Sequence, residues 1–388
     1  MVAVLVLDAA QRSALSVTRS LGDHCKVIVA DEAELTLGGA SKYVFTSEVY
    51  ASPSSASEFI ADINRIIEKY NIQVLYPTTE ITVYTLLENK HLLRSVKLPF
   101  SDIGTVKKLA DKASLIELSR SLGVQAPASD YYDNAGSLQA LSKEYQYPVV
   151  VKPTLSRVKL DEGWLNTAVT YAHSQSELNT IVTENVAFSD HPFMIQEYID
   201  GHGSGVFLLY DHGQCIAHFA HKRLREKPPT GGVSVLSESV VAEPKQLEAA
   251  KKLLDAVQWH GVAMVEFKVN SKGEPYIIEV NPRFWGSLQL AVDSGVDFPL
   301  LLHKATMGED LAPASSYRVG QKLRWLLGDF DRLYLVLKGK EYSVSQKFAE
   351  LMRFLVPYLP SMRYEVNRRS DMKPFWAELK LYIKALRR

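Results

Sequence analysis

The sequence of 388 residues predicts an α/β domain with an open parallel sheet, then an α+β domain with a mostly antiparallel sheet, then a basic helical C-terminal extension. Strand and helix signals alternate over residues 1–104, which indicates the parallel sheet. Strand pairs joined by short turns follow in residues 105–312, where we expect a small lobe over about 125–195 and a large lobe over about 196–312. Residues 313–388 hold 16 Lys and Arg but only 7 Asp and Glu, which marks a chemically distinct segment.

The bulk composition is that of a soluble globular protein, with 46% hydrophobic and 23% charged residues. The formal net charge is zero, which argues against a nucleic-acid partner. Cys25 and Cys215 lack zinc-ligand spacing, so two free thiols in a reducing compartment are expected. No apolar run approaches the roughly 20 residues that a membrane span needs. We therefore expect a cytoplasmic protein.

The parallel sheet begins with the apolar run VAVLVLD, which is too short for a signal sequence and predicts a first strand. Further strands are predicted at KVIVAD and VLYPTTE, with helices between them. Ligands of such sheets bind beyond the carboxyl ends of the strands. The first turn, DAAQRSA, has no GxGxxG pattern, so a dinucleotide site is not expected.

Polar residues alternate with apolar ones at the end of the stretch IIEVNPRFWG, where Glu279, Asn281 and Arg283 lie two residues apart. On a strand this spacing places the three side chains on one face, with Ile278 and Val280 pointing into a core. A carboxylate and an amide beneath apolar residues are costly unless a cation satisfies them. The pattern therefore indicates a cation site at this strand.

A second carboxylate, Glu266, lies on the preceding strand of the same predicted hairpin. A two-residue turn at Ser271 and Lys272 would place Glu266 opposite Ile277 and diagonal to Glu279, with the Cα atoms of the two glutamates roughly 7–8 Å apart. Oxygen ligands in this arrangement suit Mg²⁺. One extra turn residue would invert the side-chain parity, and ordinary salt bridges of edge glutamates are the alternative interpretation.

The segment VEFK, followed by GEPYIIEVNPRFWGS, resembles the metal-binding signature of the ATP-grasp superfamily. The resemblance extends over about residues 1–310 and implies that Glu266, Glu279 and Asn281 hold two Mg²⁺ ions, with Mn²⁺ as an alternative, against ATP. It also implies that Arg283 contacts the reacting phosphoryl or acyl-phosphate group. The first sheet would then be the domain that precedes the ATP-grasp fold in this superfamily.

The same resemblance extends to two lysines before the hairpin. Lys112 resembles a lysine that contacts phosphate, although a helix-surface lysine is the alternative. Lys152 shares an interior strand face with Val150, and a buried ammonium requires an anion such as triphosphate.

The stretch FMIQEYIDG resembles the hinge where adenine lies. This implies contacts from Gln196 and from the backbone of Glu197 and Ile199. Asp200 is the candidate for the ribose hydroxyls, with His202 a weaker one, and all of these are alternatively plain turn residues.

The loop after the Lys152 strand, TLSRVKLDEGWLN, departs from the family pattern because it contains a single glycine. Ser156 and Arg157 would contact phosphate through their side chains instead, and the loop is a candidate lid.

Clustered cations occur in HKRLREKPPTGG, which resembles the segment over the acceptor site in one branch of ATP-grasp ligases. Arg223 and Arg225 are therefore interpreted as anion contacts of the catalytic site, together with Lys152 and Arg283; a solvated strand edge is the alternative. The opening VLVLDAAQRSALSVTRSLG matches the same carboxylate–amine ligase-like branch.

The resemblance implies an ATP-dependent ligase that forms an acyl phosphate and then an amide or peptide bond, with release of ADP and phosphate. The expected substrates are an amino acid, a peptide or a cell-envelope precursor. Arg12 is a candidate partner of a carboxylate and Glu80 of an amine. Carboxylation, thioester formation and a non-catalytic nucleotide-binding regulator are the alternatives.

The last sixteen residues, KPFWAELKLYIKALRR, predict a basic amphipathic helix with Phe375, Leu379, Tyr382 and Leu386 in one stripe. Docking on its own domain or on the partner of a homodimer is one interpretation. Peripheral contact with the inner face of the membrane is the other.

Overall fold

The first sheet is four-stranded and parallel, in the order β3-β2-β1-β4 of the computed structural model, which describes residues 1–139, 143–154, 157–160, 163–166, 169–313, 316–356 and 360–387. Apolar strand residues fill the core on both sides of this sheet. Its strands are β1 (Ala3–Leu7), β2 (Lys26–Asp31), β3 (Thr46–Val49) and β4 (Val74–Tyr76), and its helices are α1 (Arg12–Leu21), α2 (Ala56–Tyr70) and α3 (Glu80–Glu88). The predicted parallel sheet is confirmed.

A buried carboxylate organises the carboxyl ends of these strands. Asp8 accepts hydrogen bonds of 2.8 Å from the N–H groups of Thr78 and Thr79 and one of 2.7 Å from the Thr82 hydroxyl. Burial nevertheless raises the pKa of Asp8 above its ordinary value. These bonds fix the turn that leads into α3.

The connection to the second domain consists of two helices, α4 (Ile103–Ala110) and α5 (Lys112–Ser121). The break occurs at Asp111, whose carboxylate accepts a hydrogen bond of 2.8 Å from the Ser114 N–H and caps α5. Lys112 therefore stands in the first turn of a helix, and its N–H donates to the carbonyl of Thr154 at 3.0 Å.

The second sheet is antiparallel, in the order β5-β10-β6-β9, and covers its own apolar cluster with three short helices. The elements of this region are β5 (Ser129–Tyr132), α6 (Ala135–Gln139), β6 (Val149–Pro153), β7 (Arg157–Leu160), β8 (Gly163–Asn166), β9 (Thr170–Ala172), α7 (Gln175–Glu184), α8 (Val186–Ser189) and β10 (Phe193–Glu197). The segment interpreted as a candidate lid contains the β7–β8 hairpin.

The third sheet has seven strands in the order β15-β14-β11-β12-β13-β16-β17, antiparallel except for the last pair. Its elements are β11 (Gly201–Asp211), β12 (Gln214–Lys227), β13 (Val233–Ser239), α9 (Pro244–Ala256), β14 (Gly261–Asn270), β15 (Pro275–Asn281), α10 (Leu288–Ser294), α11 (Phe298–Met307), β16 (Lys322–Arg324) and β17 (Met362–Tyr364). The predicted hairpin that holds Glu266 and Glu279 is present as β14–β15, and β11–β12 forms a second hairpin.

The C-terminal segment contains three helices, α12 (Leu326–Lys338), α13 (Val344–Leu355) and α14 (Lys373–Leu386). The expectation of a purely helical extension is wrong in one respect, because β16 and β17 lengthen the third sheet. The segment also contacts the first domain through the ion pair between Arg19 and Asp371, 2.9 Å apart.

Helix α14 packs on its own chain. Phe375 and Trp325 contact a small cluster of Leu15, Leu37 and Val366, and the Tyr382 hydroxyl donates to Asp331. This arrangement agrees with the docked interpretation of the predicted stripe. In the part of the chain that the structure describes, no helix combines the length and apolar character that crossing a bilayer requires. Both cysteines are free thiols, as predicted.

Candidate functional site

The β14–β15 hairpin brings its two glutamates together as direct cross-strand partners. The turn is one residue longer than predicted, since Val269 pairs with Pro275 and Phe267 with Ile277. A β-bulge at Ile278 then shifts the register again, so that Glu266 faces Glu279. The predicted pairing of Glu266 with Ile277 is therefore wrong, but the predicted common face of the two glutamates is present.

An amide joins the two carboxylates. The Asn281 Nδ2 group donates to Oε1 of Glu279 at 3.0 Å and to Oε1 of Glu266 at 3.3 Å. Burial, followed by the charge of Glu279, raises the pKa of Glu266. Burial acts on Glu279 in the same direction, but Lys112 and then Asn281 outweigh it and lower the pKa of Glu279.

This donor set fits a divalent cation. Two carboxylates that face each other repel when both are ionised, and a hard cation between them removes that cost. Carboxylate oxygens and an amide oxygen are ligands that Mg²⁺ and Mn²⁺ accept. Glu266, Glu279 and Asn281 are therefore the residues of this chain that would hold such ions.

Two buried lysines lie on one side of the glutamates. The Nζ atom of Lys112 is 3.6 Å from Oε2 of Glu279, and the lysine is 5% exposed, so the alternative of a helix-surface lysine is wrong. Lys152 is 3% exposed, and burial, followed by the charge of Lys112, lowers its pKa to about 8. Two ammonium groups this deeply buried fit a polyanion such as triphosphate.

A mostly apolar cavity of about 170 Å³ opens next to Lys152 and contains the predicted hinge. Gln196, Glu197 and Ile199, which the resemblance assigned to adenine, line it. Residues that the sequence analysis missed complete the wall: Val150, Val169, Tyr171, Tyr198, Lys268 and Ile278. Ile278 faces this cavity because the bulge turns it away from the core, where it was predicted to lie.

Three details of the hinge differ from expectation. The Gln196 side chain donates to the Ser129 hydroxyl at 2.9 Å, and the Glu197 N–H donates to the carbonyl of Ala128 at 2.8 Å. Of the two backbone groups of Glu197, only the carbonyl remains a candidate for adenine. Asp200 is exposed and does not line the cavity, so the structure does not bring the predicted ribose contact to the site.

Ser156, which was predicted to contact phosphate, lies outside the described residues.

A second cavity of about 200 Å³ lies on the other side of the glutamates. Arg12, Arg223 and Arg283 line it together with Glu266 and Glu279. Its remaining walls come from His221, Gly232, Val233, Ser234, Met264, Asn281, Trp285, Gly286 and Ser287. The sequence analysis missed most of these because they come from four separate segments that only the fold brings together.

The two arginines of β12 lie on different sides of the sheet. Arg223 reaches Oε2 of Glu266 at 3.1 Å, as an anion contact of the site would. Arg225 is instead buried against Asp329 at 2.7 Å, so its assignment to the catalytic site is wrong. The physical reason is a bulge at Leu224, which breaks the two-residue alternation between the arginines.

Arg283 keeps contact with the metal-ligand candidates. Its guanidinium donates to the carbonyl of Phe284 at 3.0 Å and lies 3.4 Å from Oδ1 of Asn281. The resemblance assigned five charged residues to phosphate and metal, and the fold brings them close together. They are Lys112, Lys152, Glu266, Glu279 and Arg283.

Comparisons with known proteins agree with this arrangement. A family model described as ATP-grasp in the biosynthetic pathway with Ter operon matches residues 189–327, about a third of the chain. The matched residues include Glu266, Glu279, Asn281 and Arg283.

Among curated proteins, the N-terminal section of the carbamoyl phosphate synthase large chain from Methanopyrus kandleri is similar to this chain. The two are 22% identical over 363 residues, which cover 84% of this chain and 62% of the relative. This chain therefore spans less than two thirds of that relative's length.

Solved structures with the same fold include an L-amino acid ligase from Bacillus licheniformis, at a TM-score of 0.61 and 15% identity. The alignment covers 79% of this chain and 74% of the ligase. Another is the biotin carboxylase domain dimer of the Hydrogenobacter thermophilus 2-oxoglutarate carboxylase, in complex with MgADP, ADP and bicarbonate. Its TM-score is 0.61 and its sequence identity is 16%, and the alignment covers 82% of this chain and 73% of that chain. These similarities confirm the resemblance that the hairpin residues predicted.

Proposed function

Because this chain has the fold of ATP-dependent ligases and its residues 189–327 match an ATP-grasp family model, we propose that it is an ATP-dependent ligase that joins a carboxylate to an amine through an acyl phosphate, with release of ADP and phosphate. One observation carries the proposal. The paired glutamates line the cavity that holds three arginines, and Lys152, whose charge acts on Glu279, lines the neighbouring apolar cavity. Such a site has room for a base on one side, an anionic substrate on the other and a phosphate chain between them.

The base of ATP would occupy the hinge cavity, where Tyr171, Ile199 and Ile278 offer apolar contact and the hinge backbone offers polar groups. The phosphates would then pass Lys152 and Lys112 and end beside Glu279. Bound Mg²⁺ would supply neutralisation of phosphate charge at Glu266, Glu279 and Asn281.

The chain's own residues would stabilise charge and position the reactants. Phosphoryl transfer to a carboxylate brings two anions together, so the cations around them lower the barrier. Arg283 and Arg223, which line the arginine-rich cavity, would hold the substrate carboxylate in line with the terminal phosphate. An amine then displaces phosphate from the acyl phosphate, and the amide bond forms.

The substrates that we propose are an amino acid or a short peptide, since the arginine-rich cavity measures only about 200 Å³. If the substrate were a cell-envelope precursor, only its reacting end would fit into this cavity. The choice of an amine acceptor follows the fold shared with the L-amino acid ligase. Carboxylation is the second candidate, because a biotin carboxylase domain with bound bicarbonate shares the fold equally well.

One assay separates the candidates. The purified protein is incubated with ATP and Mg²⁺, either with pools of L-amino acids or with bicarbonate, and ADP and products are measured by coupled assay and mass spectrometry. ADP release that requires amino acids and yields an amide supports the proposal. ADP release that requires bicarbonate would replace it with carboxylation, and ATP binding without turnover in any mixture would favour a nucleotide-binding regulator.

A further inference from the structure

The arginine-rich cavity contains a cation for which the proposed chemistry supplies no role. Arg12 lies at the start of α1 in the first domain and lines this cavity together with Arg223 and Arg283. We propose that Arg12 binds a carboxylate of the substrate that does not take part in the reaction. This inference rests on the proposed function and specifies its substrate class: a donor or an acceptor with an additional carboxylate.

The Arg12 guanidinium is held from two sides. It forms an ion pair with Glu365, and its Cζ atom lies 4.0 Å from the centre of the Trp325 ring. Both partners belong to the C-terminal segment, and the Arg12 side chain is only 11% exposed. An arginine held in this way loses little conformational freedom when it binds a ligand.

The C-terminal segment that holds Arg12 is itself fixed. The Glu365 side chain is 2% exposed, and its N–H donates to the carbonyl of Arg324 at 2.9 Å. Arg19 donates to the carbonyls of Glu365 and Val366 at 2.6 and 2.8 Å and pairs with Asp371. Glu365 is therefore a positioning residue that acts through Arg12.

One edge of the guanidinium is left for a ligand. Nη1 contacts Glu365, whereas Nη2 lies beside Gly286 in the cavity wall, where a Cβ atom would come within 3.1 Å of it. Glycine at position 286 thus allows the close approach. Among the described residues Nη2 has no hydrogen-bond acceptor, and a planar guanidinium with such an N–H edge matches the geometry of a carboxylate.

The rest of the cavity favours an anion. The carboxylates that line it among the described residues are Glu266 and Glu279, which the proposed function assigns to metal ions. The remaining polar lining consists of Arg223, Arg283 and uncharged groups. A substrate ammonium would find no further acid there, whereas a carboxylate would find Arg12.

The experiment compares ligands with and without the additional carboxylate. ADP release is measured with saturating ATP and Mg²⁺ in two arms. The first arm compares L-amino acids with their C-terminal amides as acceptors. The second arm compares four- to six-carbon dicarboxylic acids with their monoamides as donors. In one arm we expect the wild-type protein to prefer the acid roughly 10- to 100-fold in kcat/KM, the range of a charge-assisted hydrogen bond. That arm identifies which substrate carries the carboxylate.

Arg12→Gln should abolish this preference, mainly through KM, and leave the KM for ATP unchanged. Gly286→Ala keeps the ion pair intact but crowds Nη2, so it should raise the same KM. Glu365→Gln should weaken the preference, and the double variant Arg12→Gln/Glu365→Gln covers the case in which Arg12→Gln fails to fold. A preference that survives in Arg12→Gln or in the double variant, or the absence of any preference in the wild-type protein, would overturn the inference.

Failure of the proposed function has a different signature. If the wild-type protein releases no ADP with any pair, calorimetric titration with the same acids in the presence of ATP and Mg²⁺ decides the inference alone. Binding that is lost in Arg12→Gln supports it. Equal binding in both proteins, or none in either, refutes it.

Discussion

The Nζ atom of Lys112 lies 3.6 Å from Oε2 of Glu279, which joins the first turn of α5 to the end of β15. Glu279 thus has a cation on one side and the Glu266 carboxylate on the other. Glu266 also has a cation, Arg223 at 3.1 Å, but burial and the charge of Glu279 outweigh it and raise the pKa of Glu266. At Glu279, Lys112 and then Asn281 outweigh burial and lower the pKa. Glu279 is consequently the better permanent anion of the pair and the more sensitive position for substitution.

Glu279→Gln should reduce ATP-dependent turnover by at least roughly 100-fold, the effect of losing one preorganised charge-stabilising group. The amide keeps the size of the side chain but removes the negative charge that a divalent cation requires. ADP release at saturating ATP and Mg²⁺ measures the loss, and near-ultraviolet circular dichroism checks that the fold is retained.

Glu248→Gln is the matched control, because Glu248 is 68% exposed on α9 and contacts only Lys252 among the described residues. It should retain wild-type turnover. If Glu279→Gln behaved like this control, Glu279 would not be a metal ligand.

Lys152→Met should weaken ATP binding roughly 10- to 100-fold, the range for loss of a charge-assisted hydrogen bond. The same substitution should leave the melting temperature unchanged or raise it, because burial of the ammonium opposes its charged form. ATP titration by calorimetry and thermal melting without ATP measure the two effects.

Lys252→Met provides the comparison on the exposed surface of α9, where the Lys252 side chain is 51% exposed. It should change neither quantity. If Lys152→Met bound ATP with wild-type affinity, the phosphates of ATP would not lie beside Lys152.

Arg223 and Arg225 should respond to substitution in opposite ways. Arg223→Gln removes a contact of 3.1 Å to Glu266 and should lower turnover with little change in stability. Arg225→Gln removes a buried partner of Asp329 and should lower stability by up to about 3–5 kcal/mol. Arg324, 2.7 Å from the same carboxylate, limits that loss.

Urea denaturation and ADP release, measured on both variants, test this contrast. The prediction fails if Arg225→Gln reduces turnover while its unfolding curve stays that of the wild-type protein. That result would return Arg225 to the catalytic site.

The sequence predicted the parts of the fold that depend on local pattern. Apolar runs and helical periodicity indicated the parallel sheet, and alternation indicated both hairpins. The grouping of the hairpin residues was also predictable, since Glu266, Glu279 and Asn281 lie together in the structure. Asp111 offered a further local signal, because Asp is a favoured N-cap residue whose carboxylate accepts from a backbone N–H in the first turn of the helix.

The sequence-based predictions failed at strand register and at contacts between distant parts of the chain. The bulges at Leu224 and Ile278 each shift strand pairing by one residue, and no local sequence pattern indicated either bulge. They reversed the predicted directions of Arg225 and Ile278. The contact of Arg12 with Glu365 joins the two ends of the chain, so only the packed structure shows it.

Glu378→Gln should stabilise the protein in a pH-dependent way. Burial raises the pKa of Glu378 to about 7; the hydrogen bond of 2.6 Å from Trp325 opposes this shift. Below the ordinary value near 4.5 the folded and unfolded chains both hold the proton, so the carboxyl contributes no pH-dependent penalty. Between 4.5 and about 7 the unfolded chain loses its proton first, and wild-type stability falls as the pH rises. Glutamine cannot ionise, so the variant avoids this loss.

Melting temperatures of wild type and Glu378→Gln, measured from pH 4 to 8, should therefore diverge between about 4.5 and 7 and stay apart above that range. Glu350→Gln on α13 is the control of opposite sign. Burial would raise the pKa of Glu350, but Arg332 and Arg353 outweigh it and lower the pKa, so this carboxylate stabilises the fold above pH 4.5. The Glu350 variant should be less stable than the wild type by a constant amount above about pH 4.5, and its curve should approach the wild-type curve only as the pH falls below that value. Parallel curves for wild type and Glu378→Gln would mean that Glu378 ionises in the folded protein at its ordinary pKa and that its side chain is hydrated.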